Sequence, residues 1–498
     1  MNSINFMNII EKIKEKLPLG VLKLDIDKKE FSSSVFFLFV IHVLAIVGII
    51  RTNFNYIDDL RRNIDGSDMC GTFSRHISQF LSYFIHTDSR LTDISPLPQL
   101  AACLLLALTG FVLVKIICGK PNKYLLLATL PIGLSPYFLS CLSYKFDAPY
   151  MALSVFASVF PFLFMRKNKW VFSIVSVVSI LVMTMTYQAS SGIFIMMTLF
   201  IFFTNLMYKK DTVKNNFIFL GISCASYLIA LILFRTFFLD PVVTYVSTDL
   251  PEIKNIVAIF LRNIEKFFTE LYYDFNVKWK VLSIIIIILF FVKTIIFSKI
   301  NKILSFFLTF LFLFLLLISI FGLYQILENP LFAPRSMYGV GFFLAILCVD
   351  ICFSLKKIVS FPAIVLSWCF FVFSFSYGNA LADQKRYDDF RTELLMGDLS
   401  HLLSEKTDEP YNITIENNIG FSPVVENVAV RNPVIKKIVH LNLKEGCPFM
   451  FMYLSHYHKF NLSWYWDENL TAETMPVIFD SYYHTIKKHE KQIVVILK

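Results

Sequence analysis

The sequence predicts an all-α polytopic membrane protein of about eleven transmembrane helices, with interfacial helices on its outer face and a small C-terminal α+β domain. Three observations predict it. The 498 residues are 56% hydrophobic and include 54 phenylalanines, with a mean hydropathy of +0.62, far from soluble composition. Apolar runs of roughly 20 residues, enough to cross a hydrocarbon core of ~30 Å, recur along the chain. Lysines and arginines cluster in alternate connectors, as the positive-inside rule requires.

In chain order, residues 1–30 form a charged cytoplasmic segment carrying Lys12, Lys14, Lys16, Lys23, Lys28 and Lys29. The first apolar run, 31–51, lies too far in for a cleavable signal peptide and is expected to stay as a signal anchor. Further spans are expected at 98–118, 124–142, 149–165, 170–187, 190–208, 217–238, 279–298, 303–327, 337–355 and 358–377. Lys120 and Lys123, Arg166, Lys167 and Lys169, Lys209, Lys210 and Lys214, Lys299 and Lys302, and Lys356 and Lys357 then face the cytoplasm. That distribution accounts for the net charge of +9 without nucleic acid as a partner. The membrane portion is 31–377, and the outside segments are loops 52–97 and 239–278, three short turns, and the tail 378–498.

Within the first loop, Phe73, Ile77, Phe80, Leu81, Phe84 and Ile85 recur at helical spacing, and in the second Ile253, Ile256, Val257, Phe260, Ile264, Phe267, Phe268 and Leu271 do the same. Each reads as an amphipathic helix, lying in the interface or packed on the protein. In the tail, Tyr411–Glu416 alternates like a strand, 424–439 is helical with a break at Pro433, and Gln492–Leu497 closes as a β-branched strand. Sequons begin at Asn412, Asn461 and Asn469; they matter only in a eukaryotic secretory compartment, and the Lys, Asn, Ile and Phe bias points to a bacterial chain. The nine cysteines show no Cys-x-x-Cys spacing, so no metal site is expected. Cys70 and Cys447, both outside, either pair or remain thiols.

Polar chemistry collects on the outer face. Asp58 and Asp59 follow the first span and precede Arg61 and Arg62; such acids can supply a base and its positioning partner, while the arginines can hold an anion. The alternative is a solvated helix end. In the turn 143–150, Asp147 is placed to cap the next helix, with Pro149 in its first turn. Lys145 stands where positive charge is disfavoured, and a phosphate would explain it. Arg335, stiffened by Pro330 and Pro334, suits a bidentate grip on phosphate. Tyr187 and Gln188 line a sugar pocket or a tight hairpin. Charges elsewhere sit near span ends, with Lys115 and Lys293 able to snorkel and Asp350 near an inner end, which favours an interfacial catalyst over a midplane carrier.

The stretches Asn55-Tyr56-Ile57-Asp58-Asp59-Leu60-Arg61-Arg62, Leu91-Thr92-Asp93-Ile94-Ser95-Pro96, Ser143-Tyr144-Lys145-Phe146-Asp147, Tyr187-Gln188-Ala189-Ser190, Ala333-Pro334-Arg335 and Tyr377-Gly378-Asn379, in this order and placement, resemble the bacterial and prophage membrane glucosyltransferases that decorate lipopolysaccharide O-antigen. The likeness runs through nearly the whole chain, including Ser422-Pro423-Val424-Val425-Glu426-Asn427. It implies a GT-C-like transferase in the bacterial inner membrane, active on the periplasmic face. The implied donor is undecaprenyl-phosphate glucose, the acceptor an O-antigen sugar hydroxyl, and the partners a donor synthase and a flippase, with no cofactor and no obligatory metal. On that footing Asp58 or Asp59 is the base, with Asp58 the first choice. Arg335, Lys145, Arg61 and Arg62 hold the donor phosphate, and Arg75, Asp93, Tyr144, Asp147, Tyr187 and Gln188 line the substrate site. The segment Met69-Cys70-Gly71-Thr72-Phe73-Ser74-Arg75 lacks the aromatic and Gly-Arg pair expected of the family, and Arg75 stands in. The competing readings are a flippase or transporter of lipid-linked sugar and a non-enzymatic assembly protein.

Overall fold

The computed structural model describes residues 26–68, 70, 73–240, 249–403, 409–447, 452–454, 461–463 and 475–498. Lys12, Lys14, Lys16 and Lys23, residues 69, 71 and 72, part of the second loop and the Asn469 sequon lie outside the described residues. Each of the eleven expected apolar segments has a helical counterpart, and these counterparts differ in length and continuity. Among the described residues, seven helices are long and apolar enough to cross a membrane: Lys28–Thr52, Leu97–Cys118, Gln188–Tyr208, Val213–Phe237, Val277–Phe297, Lys302–Ser319 and Lys357–Leu402. The 124–142 segment is broken into Lys123–Leu134 and Pro136–Leu142, bent by 68°, and would make an eighth. Ala148–Phe164, Lys169–Thr184 and Gly339–Ser354 are apolar but shorter. Proline explains the break, since Pro131 and Pro136 each open a helical turn and cannot donate to the preceding one.

Lipid gives apolar helices no hydrophobic reason to associate, so close contact has to come from small residues. The first and last spans cross at Gly48 and Gly378, where a Cβ on Gly378 would stand 2.7 Å from the Gly48 carbonyl carbon. At the same crossing Thr52 donates to the Gly378 carbonyl at 3.1 Å and Arg51 to Asn379 at 2.8 Å. The last helix then continues through position 377 without interruption to Leu402. Two cations also depart from expectation. Lys293 does not snorkel but pairs with Asp350, with both side chains buried, because an unpaired ammonium at that depth is costly. Lys115 reaches Glu30 of the first span at 3.4 Å.

Of the two loop helices, His76–His86 buries Ser78, Ser82 and His86 and turns Phe80 and Phe84 outward, 69% and 73% exposed. Its apolar face is therefore available to lipid. Ile256–Asp274 is divided: Val257 and Leu261 are exposed, whereas Phe267 is buried and stacks on Phe321 at 4.2 Å.

The tail carries a five-stranded sheet ordered β2-β1-β5-β4-β3, with β1 Tyr411–Glu416, β2 Leu462–Ser463, β3 Val477–Asp480, β4 His484–His489 and β5 Gln492–Leu497. β1 runs parallel to β2 and β5, and the other pairs are antiparallel. Helices Pro423–Ala429 and Ile435–Ile438 flank Pro433. Cys70 and Cys447 are both buried and are not joined to each other in a disulfide.

Candidate active site

The first span ends in a left-handed Asn53, and the chain turns through Tyr56 and Ile57 before the short helix Asp59–Asp65. Ile57 has φ of +54°, a conformation that strains a β-branched residue by on the order of 1–3 kcal/mol. The buried Asp59 over-determines this turn. Its carboxylate accepts from the Tyr56 amide at 3.0 Å and from the Lys145 amide at 3.2 and 3.1 Å, stapling the first loop to the turn before Ala148. Burial, with Asp58 alongside, raises the Asp59 carboxyl well above the usual carboxylate range. Gly66 closes the helix at φ +72°, where a Cβ would meet the Arg90 side chain at 2.4 Å. Its carbonyl accepts from the Leu91 amide at 2.9 Å, bringing the chain back toward Asp93.

Charges interlock around this staple. Arg62, 3% exposed, donates both terminal nitrogens to Asp147 at 2.6 and 2.9 Å and one of them to Asp58 at 3.4 Å. Lys145 donates to Asp93 and to Asn55, each at 2.9 Å. Against the cost of burial, that contact holds the Asp93 carboxyl below its usual range. These pairings bear on two expectations. Asp147 occupies the cap position but makes no cap bond, because a buried guanidinium is the stronger donor. Lys145, for which a phosphate was the expected partner, is paired with Asp93. Asp58 differs from the other acids: its Oδ2 faces Arg62, while its Oδ1 is buried with no hydrogen-bond partner among the described residues.

A second layer carries Arg335, which donates to the Tyr144 hydroxyl. The Tyr144 ring packs edge-on against Tyr56 at 4.9 Å. Tyr56 and Tyr377, from the first loop and the last helix, both donate to the Ile438 carbonyl, at 2.9 and 3.0 Å. The tail is thus bonded directly to the site. Arg75 lies 4.6 Å over the Tyr187 ring and 5.0 Å over Phe73, and Gln188 donates to the Phe73 carbonyl at 3.2 Å. Burial raises the Tyr187 phenol above its ordinary range, with Arg335 and Arg75 opposing it; Arg335 itself lies 5.7 Å over the Tyr144 ring. Arg61 does not join this assembly; it pairs with Asp65 on the exposed side of its helix.

Residues 47–346 match the family described as Glucosyl transferase GtrII. The chain belongs to the GtrII glucosyl transferase family. A relative described as an uncharacterized 55.3 kDa protein in the gtrB 5' region of Salmonella phage P22 is 23% identical over 406 residues, covering 77% of this chain and 81% of the relative. No solved structure matches. Together with the apolar bundle, the match describes a multi-pass membrane glycosyltransferase. The GtrII match spans Asp58, Asp59, Arg62, Asp93, Lys145, Asp147, Tyr187 and Arg335, and ends before the tail.

Two residues at this GtrII site escape a sequence reading. His440 lies 6.2 Å from the Tyr56 ring with its Nε2 buried and without a partner among the described residues; burial, then Lys444 and Arg335, push it down to about 3, so it is neutral. Asn55, at 2.9 Å from Lys145, belongs to the first-loop motif, where residue type alone gives it no role. A lone histidine in a tail carries no spacing signal, whereas an asparagine three residues before an acidic pair can be suspected from proximity.

Proposed function

We propose that this chain transfers glucose from undecaprenyl-phosphate glucose to a sugar hydroxyl of lipopolysaccharide O-antigen, at the periplasmic face of the bacterial inner membrane and with inversion. Asp58 is the base in this reading. The observation that carries it is the contrast within the acidic cluster: Asp59, Asp93 and Asp147 are committed to amides, Lys145 and Arg62, while Asp58 keeps a buried, unpartnered oxygen. That oxygen takes the acceptor hydroxyl proton as the acceptor oxygen bonds to the sugar's anomeric carbon. The bond from that carbon to the phosphate oxygen breaks, and its electron pair stays on the departing polyprenyl phosphate.

The phosphate is already a good leaving group, so no general acid is required. Arg335, on the Tyr144 hydroxyl, meets the charge that develops on it, assisted by Arg75 over the Tyr187 ring; in many enzymes such electrostatic stabilisation lowers the barrier more than any other effect. Lys145 and Arg62 act through the acids they hold, and Arg61 has no part. The donor would come from a separate synthase and flippase.

Purified chain supplied with undecaprenyl-phosphate glucose and isolated O-antigen should yield glucosylated glycan. Movement of labelled donor across vesicles without glycosidic bond formation would sink the transferase reading in favour of a carrier.

A further inference from the structure

The bundle has a second polar centre at its opposite end. A cavity of about 290 Å³ is lined by Arg166, Lys210, Lys293 and Asp350 and, on its apolar side, by Phe297 and Phe353. Its other walls include Ile117 and Tyr208, each near the far end of a helix that starts beside the candidate active site: Leu97–Cys118 follows Asp93, and Ser191–Tyr208 follows Gln188. The first of these, 22 residues long, separates the two centres by about 33 Å.

The charges in this cavity do not balance. Lys293 and Asp350 neutralise each other at its buried floor. Arg166 and Lys210 remain at its exposed rim, and neither has a carboxylate within ion-pair distance among the described residues. Two cations converging above a buried ion pair make an anion seat, and basic pockets between membrane helices take lipid head groups in this way. The volume sits at the lower bound of small-molecule sites, room for a head group but not for a sugar-lipid. Phe297 and Phe353, 52% and 53% exposed, flank the opening on two apolar helices and give it an apolar exit.

We propose that this cavity binds the phosphate monoester head of a lipid, with Arg166 and Lys210 on its oxygens and the lipid chain leaving past Phe297 and Phe353. Free phosphate offers the same head-group chemistry but would leave the apolar exit unused.

Native mass spectrometry of the full-length chain in detergent tests this with three probes: phosphatidic acid, phosphatidylcholine of the same chains, and inorganic phosphate. Phosphatidic acid should be retained in preference to phosphatidylcholine. The double variant Arg166→Gln/Lys210→Gln should weaken that retention roughly ten- to thirtyfold, while Lys120→Gln, a basic residue outside the cavity, leaves it unchanged. Both rim side chains are exposed, so the double variant should unfold at the same temperature as the parent. Equal retention of the two lipids, or unchanged retention by the double variant, would overturn the site. Displacement by inorganic phosphate at concentrations matching the lipid would overturn the lipid assignment in favour of a water-borne anion.

Discussion

The two charged centres of this bundle are built with opposite imbalances. In the inner layer of the loop face, inside Arg335 and Arg75, four acids, Asp58, Asp59, Asp93 and Asp147, enclose Arg62 and Lys145. At the far end three cations meet the single carboxylate of Asp350. An excess of acids leaves one carboxylate oxygen unpartnered and able to accept a proton, whereas an excess of cations leaves a place for an anion. Both centres contain a buried ion pair, so burial alone does not distinguish them. The residual charge does.

The sharpest way to break this contrast is Asp58→Asn, which keeps the shape and removes the proton acceptor. Glucose transfer should fall by roughly 10²- to 10⁴-fold with the unfolding temperature unchanged, read by product formation beside a thermal melt. Activity retained in Asp58→Asn but lost in Asp59→Asn would exchange their roles.

Next in size is Asp147→Ala, which strands the buried Arg62 guanidinium and should cost about 3–5 kcal/mol of stability by denaturant titration. Adding Arg62→Met should recover most of that stability without recovering activity, because an apolar replacement of both partners is tolerated while the geometry around Asp58 is lost. Recovery of both would mean that the pair is only structural.

A smaller effect tests the tail that leans on the acidic centre. Asp388 is buried, accepts from Gln384 at 2.7 Å and from Asn442 at 3.2 Å, and burial raises its carboxyl to about 7. Its folded value lies above its unfolded one, so its contribution is full below about 4 and is lost as pH rises through about 7. Protection of the tail from proteolysis should weaken across that window, and Asp388→Asn should flatten the dependence. The smallest effect belongs to Arg61→Ala. Its pair with Asp65 is exposed, so stability should move by less than ~1 kcal/mol and transfer should be unaffected.

The sequence makes the apolar runs legible because hydropathy and charge asymmetry are local signals, and each run corresponds to a helix. It does not show that the run at 124–142 bends or that the last helix continues to Leu402, because neither kinks nor length beyond the bilayer alter average hydropathy. The acidic pair, Lys145 and Arg335 stand out by type and position. Their pairings do not: Arg62 meets Asp147 across 85 positions and Lys145 meets Asp93 across 52, separations at which periodicity carries no information. Reading Arg61 and Arg62 as equivalent fails for a related reason, since adjacent helical residues point about 100° apart and only one turns inward.

The Ile438 carbonyl accepts from both Tyr56 and Tyr377, and this sets a schedule as well as a geometry. The two phenols are synthesised long before the oxygen they share. A nascent chain can insert every apolar helix and bring Asp58 beside Arg62 while this position is still unmade. Completion of the loop face is therefore coupled to the synthesis of residue 438, and a product truncated before it would retain its apolar helices but lack the bond that joins the first loop, the last helix and the tail.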